Sequence, residues 1–148
     1  MGLSSPHFSE KELRCPHCGV NGIAQELLDT LEVFRAATAA AWASKFQATK
    51  NLFPGMIVDS AFRCAEHNKA VGGAPHSQHL LGLAADVRVP LMSAAELEQV
   101  ARTILGINGI GRSTPPMTYL HIDVRYGPAV VAWTYDADGK QAGYYPVG

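Results

Sequence analysis

A histidine and an aspartate, His79 and Asp86, stand seven residues apart where a loop leads into a predicted strand. Thirty-five residues after Asp86, His121 and Asp123 stand on another predicted strand. Because residues two apart in a strand point to the same side, His121 and Asp123 share one face. Their apolar neighbours take the opposite face, so we expect both polar side chains on the exposed face of that strand.

Two imidazoles and one carboxylate are the donor set of a catalytic zinc ion. Three protein ligands leave the fourth tetrahedral position to a water molecule. Zinc lowers the pKa of that water and polarises a substrate carbonyl group. We therefore predict that His79, Asp86 and His121 bind one Zn²⁺ ion. Asp123 fits either of two roles: the general base that takes the proton of the water, which we prefer, or a partner that orients a metal-bound imidazole.

The three cysteines of the chain are a second group with metal-binding chemistry. Cys15 and Cys18 form a Cys-x-x-Cys pair, which is half of a zinc knuckle, and only Cys64 remains to complete it. A redox pair would open a helix that follows a strand, whereas this pair lies in an N-terminal loop. Three interpretations stay open: packing thiols, a disulfide with Cys64, and an accessory metal site.

Hydrophobic periodicity predicts one small α+β domain over residues 1–148, with helices early in the chain and strands later. Residues 1–22 are predicted as an N-terminal loop with a short helix that begins at the capping box of Ser9 and Glu12. We expect an antiparallel sheet that carries the zinc site. The predicted helices cover residues 23–50 and 93–105, with a helical turn over 66–71. The predicted strands cover 56–62, 83–89, 119–124, 129–135 and 141–145, and residues 108–111 are predicted as a glycine-rich turn.

The composition narrows the possible functions. Lys and Arg number 12 against 13 Asp and Glu, a net charge of −1, which argues against a basic nucleic-acid-binding face and against a polybasic membrane anchor. No apolar run reaches the ~18 residues of a transmembrane helix. Residues 1–10 show neither the basic start nor the apolar run of a signal peptide. We therefore expect synthesis in the cytoplasm, with any action outside it depending on separate delivery.

One string of ten residues carries a resemblance to a known enzyme family. Residues 77–86, Ser-Gln-His-Leu-Leu-Gly-Leu-Ala-Ala-Asp, contain every fixed position of the SxHxxGxAxD signature of the zinc D-Ala-D-Ala peptidases, a group related to lysostaphin and the sonic hedgehog domain. Residues 60–64 are similar to the family's Ser-Gly-[Tyr/Phe]-Arg segment, with Ala61 in place of glycine. Residues 109–125, followed by Trp133, resemble the His-x-Asp tail of its small bacterial and phage members.

This resemblance implies a small α+β fold whose antiparallel sheet bears zinc on His79, Asp86 and His121. It implies that Arg63 pairs with a substrate carboxylate or carbonyl oxygen, and that Ser77 lies beside the substrate and the metal. Members of the family cleave peptide bonds in peptidoglycan stem peptides, as D-Ala-D-Ala carboxypeptidases, endopeptidases or phage endolysins. The implied partner is therefore bacterial peptidoglycan.

The chain departs from the family at one point. Many members carry Glu or Asp three residues before the last zinc histidine, and others carry His two residues before it. Those positions hold Thr118 and Tyr119, so Asp123 is the substitute base that we infer. We place Tyr119 among the substrate-binding residues and Trp133 in the core of the sheet.

Two classes of function follow from these observations. The favoured one is a zinc peptidase that acts on the cell wall, as a holin-dependent phage endolysin, a virion-mounted hydrolase or a bacterial enzyme. The alternative is a non-catalytic module of the same fold, which binds zinc and serves in wall binding or in a virion. The base distinguishes them, because Thr118 and Tyr119 favour the module and Asp123 favours the enzyme.

Overall fold

The structure is a computed structural model, and it describes residues 2–144 of the chain. The helices are α1 (Glu10–Leu13), α2 (Gln25–Phe46), α3 (Ala65–Ala70) and α4 (Ala94–Ala101). The strands are β1 (Ile57–Ser60), β2 (Ala84–Arg88), β3 (Gly109–Arg112), β4 (Leu120–Asp123), β5 (Val131–Tyr135) and β6 (Gln141–Tyr144). Short 3₁₀ helices lie at Lys50–Leu52 and Gln78–Leu81. These elements confirm the α+β prediction; Tyr145, the predicted end of the last strand, lies outside the described residues.

The six strands form one sheet in the order β1-β2-β4-β3-β5-β6. Neighbouring strands are antiparallel except β3 and β5, which run parallel, so the expectation of a wholly antiparallel sheet is corrected at this pair. The reason is the connection over residues 124–130. It passes the end of β3 and reverses the chain, so β5 opposes β4 in direction and therefore matches β3.

Strand β3 occupies residues that the sequence predicts as a turn, because Gly109 and Gly111 are typical turn residues. Both glycines serve the packing of neighbouring strands instead. A Cβ atom at Gly109 would collide with the carboxylate of Asp123, and one at Gly111 would lie 2.6 Å from the indole nitrogen of Trp133. Glycine therefore lets large or charged side chains of β4 and β5 lie directly against β3.

The helix ends follow local capping chemistry. The capping box predicted at Ser9 is present, since the backbone N–H of Glu12 donates to Ser9 Oγ at 3.2 Å, and α4 begins with an equivalent box at Ser93. Helix α2 ends at Phe46, earlier than predicted, because Gln47 adopts a left-handed conformation with φ of 50°. No helix within residues 2–144 combines the length and the apolar character that crossing a membrane requires.

The hydrophobic core lies between the sheet and the long helix. Helix α2 buries Leu27, Leu31 and Phe34 in the same cluster as Val87 of β2 and Ile122 of β4. Because side chains alternate along a strand, the opposite face of β2 and β4 carries polar residues. The core therefore fixes the orientation of both strands, and with it the direction in which their polar side chains point.

Candidate metal centre

One row of paired residues crosses the sheet and gathers most of the site. Asp86 of β2 lies opposite His121 of β4, His121 lies opposite Gly111 of β3, and Gly111 lies opposite Trp133 of β5. Paired residues on adjacent strands project from the same face. The ring centroids of His121 and Trp133 are accordingly 5.1 Å apart, above the space that Gly111 leaves.

The side chains of His121 and Asp123 are buried rather than exposed, which corrects the expectation for both residues. His121 is 4% exposed and Asp123 is 0% exposed. The segment of residues 61–83 folds over the face and brings Arg63 and His79 to Asp86. The alternation of polar and apolar residues in β4 identified two faces correctly, but it contained no information about the segment that covers one of them.

His79 is held by the residues that surround it in the signature. Ser77 accepts a hydrogen bond from the backbone N–H of His79 at 3.2 Å, so it begins the short 3₁₀ helix that carries the imidazole. Gly82 ends that helix with φ of 72°, and a Cβ atom there would overlap the carbonyl oxygen of Gly22. The backbone N–H of Ala24 donates to Gly82 O at 3.0 Å. Only glycine therefore lets the loop of His79 approach the N-terminal segment so closely.

The donor atoms of His79, Asp86 and His121 converge on one point. Asp86 Oδ1 lies 3.2 Å from His79 Nε2 and 3.0 Å from His121 Nδ1, and the three ligand atoms lie within 4.8 Å of one another. In a tetrahedral site with metal–ligand bonds of about 2.0–2.1 Å, neighbouring donors stand about 3.3 Å apart. The three side chains therefore fit a small divalent ion with minor outward movement.

Each imidazole has its second nitrogen fixed by a hydrogen bond. The Nδ1 atom of His79 lies 2.7 Å from the carbonyl oxygen of Ala61, so Nδ1 carries the proton and Nε2 presents a lone pair. The Nε2 atom of His121 lies 2.8 Å from Asp123 Oδ2, so this ring presents Nδ1 instead. Such outer hydrogen bonds fix the tautomer and ring orientation of a metal-binding histidine.

Asp123 lies behind His121, away from the open side of the site. Its carboxylate accepts a bidentate pair from Arg125, with Nε to Oδ1 at 2.7 Å and Nη2 to Oδ2 at 2.8 Å. The same Oδ2 also receives His121 Nε2, and Oδ1 receives the backbone N–H of Arg125 at 3.2 Å. This fully buried carboxylate is saturated with donors, which favours the orienting role over the base.

The charges of the site reinforce one another. Burial alone would raise the pKa of Asp86, but the adjacent imidazoles of His79 and His121 outweigh it and hold that pKa well below the usual range. Burial would lower the pKa of His121, yet its hydrogen bonds to Asp123 and Asp86 raise that pKa to about 9. Without a competing cation the His121 ring is therefore protonated at neutral pH, so a metal ion must displace that proton to bind.

Arg63 closes one side of the donor set. Its Nη2 atom donates to Asp86 Oδ2 at 3.0 Å, its Nε atom to Ser60 Oγ at 2.9 Å, and its Nη1 atom to Asn68 Oδ1 at 3.3 Å. The guanidinium therefore holds the Asp86 oxygen that does not face the imidazoles. It also lies on the wall of the adjoining cleft, within reach of a bound ligand.

A cleft of about 590 Å³ opens directly above the donor atoms. Predicted site residues on its wall include Arg63, Ser77 and Tyr119, together with the three candidate metal ligands. Tyr119 is half-buried, and burial together with the charge of Asp86 raises its pKa to about 12. Its hydroxyl therefore stays protonated at neutral pH and can donate a hydrogen bond to a ligand.

Comparison with protein families gives a match over residues 6–123 of the chain, to the model described as Peptidase M15. The chain belongs to the peptidase M15 family. The match includes all three donor residues and confirms the resemblance seen in the signature. The members of this family are metal-dependent peptidases, so the M15 chain described here is a metallopeptidase with a candidate His-Asp-His site. A comparison with curated proteins gives no significant match.

The wall of the M15 cleft also carries residues that were not assigned to the site from the sequence, among them Arg125, Tyr135 and Tyr144. Arg125 lies 5.0 Å from the ring centroid of Trp133, and the rings of Trp133 and Tyr144 are 6.4 Å apart. The antiparallel pairing of the consecutive strands β5 and β6 brings Tyr144 beside Trp133. The available signal was the alternation of aromatic residues Trp133 and Tyr135 in β5, which places both on one face.

The remaining histidines and the cysteines lie outside the donor set. His7 contacts Glu32 at 2.7 Å and His17 contacts Glu66 at 2.8 Å, both at exposed positions. His76 is exposed on the cleft wall. The three cysteines, Cys15, Cys18 and Cys64, meet in a separate cluster at the N-terminal end of α3.

Proposed function

We propose that this M15 peptidase is a zinc enzyme that hydrolyses peptide bonds in the stem peptides of bacterial peptidoglycan. One observation carries the proposal: His79, Asp86 and His121 place a nitrogen, an oxygen and a nitrogen within 4.8 Å of one another at the floor of an open cleft. Two neutral nitrogens and one carboxylate oxygen form a donor set typical of catalytic zinc, and the cleft supplies access for water and substrate.

The ligand roles follow from the hydrogen bonds described above. His79 binds through Nε2, His121 through Nδ1, and Asp86 through Oδ1, while Arg63 retains the other oxygen of Asp86. A zinc ion bound there supplies a Lewis acid for the scissile carbonyl and lowers the pKa of bound water. The chain's contribution is a rigid donor set whose ring orientations are fixed before substrate arrives.

The wall of the cleft suits a peptide that ends in a carboxylate. Arg63, Arg125 and Lys140 contribute positive charge there, and the carboxylate on the wall belongs to Asp86, which serves the metal. Tyr119 stays protonated and serves as a hydrogen-bond donor to a carbonyl oxygen of the substrate. A D-Ala-D-Ala terminus, or the equivalent end of a cross-linked stem, supplies both groups.

The general base is best sought on the cleft wall. Asp123 is fully buried and its oxygens are occupied by His121 and Arg125, so its proposed role is to orient His121. His76 is exposed, lines the cleft and carries an imidazole outside the metal set. We assign it the proton transfer from the attacking water, in place of the Asp123 that the sequence favoured.

The test uses defined muropeptides and mass spectrometry of the fragments. Zinc-loaded chain should release D-Ala or cleave a stem cross-link, and chelation should stop the reaction. His121→Ala should release nothing, whereas His7→Ala, a matched exposed histidine, should retain activity. Binding of wall fragments by the zinc-loaded chain without any cleavage would instead establish the non-catalytic module. If the chain cleaves peptidoglycan, two lysis assays separate its possible roles. Lysis of cells to which the protein is added from outside would favour a virion-mounted hydrolase. Lysis only after co-expression with a holin would favour an endolysin.

A further inference from the structure

The three cysteines form a second donor set, at the junction of the N-terminal loop and α3. Their Sγ atoms lie within 4.8 Å of one another, and Cys15 Sγ is 3.7 Å from Cys64 Sγ. Cys15 is buried and Cys18 is exposed, so the cluster reaches from the interior to the surface. This arrangement brings together residues that are 49 positions apart in the chain.

The sulfur separation matches a metal site better than a covalent bond. In a tetrahedral site with Zn–S bonds of about 2.3 Å, neighbouring sulfur atoms stand about 3.8 Å apart. A disulfide requires about 2.05 Å and joins only two of the three. The observed 3.7 Å is thus close to one edge of a thiolate tetrahedron, and Cys18 lies at the same centre.

The backbone around the sulfurs has the form of a metal-binding turn. The N–H of Gly19 donates to Cys15 O at 2.8 Å, and Gly19 has φ of 74°, so residues 15–19 turn tightly and bring the sulfurs of Cys15 and Cys18 close together. The N–H of Cys64 donates to Cys15 Sγ, and the N–H of His67 donates to Cys64 Sγ, each at 3.5 Å. N–H donors of this kind stabilise the thiolate form, which is the form that binds metal.

We propose that Cys15, Cys18 and Cys64 bind a second, structural metal ion of the zinc class, with His67 as the fourth ligand. The chain then contributes two pairs of equal spacing, Cys15-x-x-Cys18 and Cys64-x-x-His67. His67 lies on the first turn of α3, and its ring nitrogens stand outside the group of mutually close sulfurs. Binding is therefore accompanied by rotation of the His67 side chain.

The position of this second site suggests that it stabilises the segment that supports the first metal centre. It joins the turn of residues 15–19 to Cys64, and the three residues before Cys64 support the catalytic centre. Ala61 O fixes His79, Arg63 fixes Asp86, and the N–H of Phe62 donates to Leu13 O at 3.1 Å. A metal bridge between the two segments holds this support in place, as a disulfide would in an oxidising compartment.

Metal content of the purified, reduced protein tests the proposal. Wild-type protein should hold two zinc ions per chain, and His121→Ala should hold one, which an organomercurial that titrates thiols should release. Cys18→Ser, at the exposed cysteine and so the variant least disruptive to folding, should also hold one ion, now insensitive to the organomercurial. Wild-type protein with a single ion that thiol titration leaves in place would overturn the proposal, whatever the outcome of the peptidase assay.

Cobalt substitution tests the ligands separately from stability. The Co²⁺ form of His121→Ala should show the intense thiolate-to-metal charge-transfer band of a tetrahedral sulfur site, and adding Cys64→Ser should abolish it. His67→Ala should raise the Kd of the second site roughly tenfold or more because one ligand is lost. His17→Ala, in the same turn, is its matched control. An unchanged Kd in His67→Ala would overturn the assignment of His67, and fully reduced protein that shows no thiolate-to-Co²⁺ band would overturn the site.

Discussion

The chain brings candidate metal-binding atoms together at two places, which differ in their donor atoms and in the elements that carry them. His79, Asp86 and His121 combine nitrogen and oxygen donors, and two of them lie on adjacent strands in the middle of the sheet. The cysteine cluster offers sulfur alone and joins a loop to the end of a short helix. The first opens into a cleft, as catalysis requires. The second can complete its coordination from the chain itself, which is typical of structural zinc.

The two places also differ in how their donors are supported. At the His-Asp-His centre a second hydrogen bond fixes each candidate ligand: His79 donates to Ala61 O, His121 donates to Asp123, and Asp86 accepts from Arg63. At the cysteine cluster the support consists of backbone N–H groups directed at sulfur. Two of the three supports at the first centre, Arg63 and Asp123, are charged side chains, whereas the supports at the cluster are neutral backbone groups. The difference explains why mutations near the first centre should change chemistry and those near the second should change stability.

The largest expected effect comes from removing a ligand of the first centre. His121→Ala should lower the rate of peptide hydrolysis about a thousandfold or more, since the several kcal/mol that a Lewis acid supplies to the transition state are lost. The cysteine cluster should keep its ion. Hydrolysis and metal content are measured on the same sample. If activity survived while one ion was lost, the first centre would not be the catalytic one.

A smaller effect separates positioning from proton transfer. Asp123→Asn should weaken the metal affinity of the first centre about 10- to 100-fold, as loss of an outer hydrogen-bond partner does, with activity recovering at high zinc. His76→Ala should lower kcat about a hundredfold without changing metal content, as loss of a general base does. If Asp123→Asn lowered kcat at saturating zinc and His76→Ala did not, the base would return to Asp123.

Protonation of His121 gives the next effect, a change of about tenfold per pH unit in the metal affinity of the first centre. Because the pKa of His121 is raised to about 9, the metal must displace one proton below that pH, so affinity should rise with pH up to about 9. Calorimetry in buffers of different ionisation enthalpy should detect about one proton released at pH 7.5. Cys64→Ser protein isolates the first centre in this measurement. An affinity that stays flat between pH 7 and 9 would contradict it.

Protonation of His121 should also make the free energy of unfolding of the metal-free protein depend on pH. The pKa of His121 is about 9 in the folded protein and 6.5 in the unfolded chain. Its protonation therefore contributes fully to the stability of the fold below about pH 6.5, and this contribution is lost as the pH rises through about 9. The loss is at most roughly 3 kcal/mol. The depressed pKa values of Asp86 and Asp123 act in the other range, where their contribution falls as pH drops below about 4. Denaturant unfolding at pH 6 and pH 9 measures the difference, which bound zinc should abolish.

The smallest effect concerns the substrate. Tyr119→Phe removes one hydrogen-bond donor from the cleft and should cost about 0.5–1.5 kcal/mol in kcat/KM. The metal content of both places should stay unchanged, which sharpens the contrast between wall residues and ligands. Equal kcat/KM values for Tyr119→Phe and wild-type protein would remove Tyr119 from the substrate-binding set.

The sequence predicted the donors better than their surroundings. Residue type and spacing placed His79, Asp86 and His121 in one group because the chemistry of a metal ligand is local to its side chain. Strand β3 was missed because the packing of Asp123 and Trp133 against Gly109 and Gly111 is a long-range property.

The burial of Asp123 was missed for a related reason. The Asp123 carboxylate lies against Gly109 of β3, a contact that arises only in the folded chain, whereas its bidentate partner Arg125 is only two residues away in the sequence. The same holds for the cysteines: the spacing of Cys15 and Cys18 suggested a metal, but only the fold brings Cys64 to them.

The pairing of Asp86 with His121 has a consequence for the order of events in folding. The two ligands are 35 residues apart, and they meet only when β2 and β4 form their ladder. Contacts of such separation form late, after the local helices. During synthesis, a chain whose β4 is still in the ribosome has no complete donor set, however well α2 has formed. We therefore expect that a growing chain cannot assemble this metal site until the central ladder of β2 and β4 is complete.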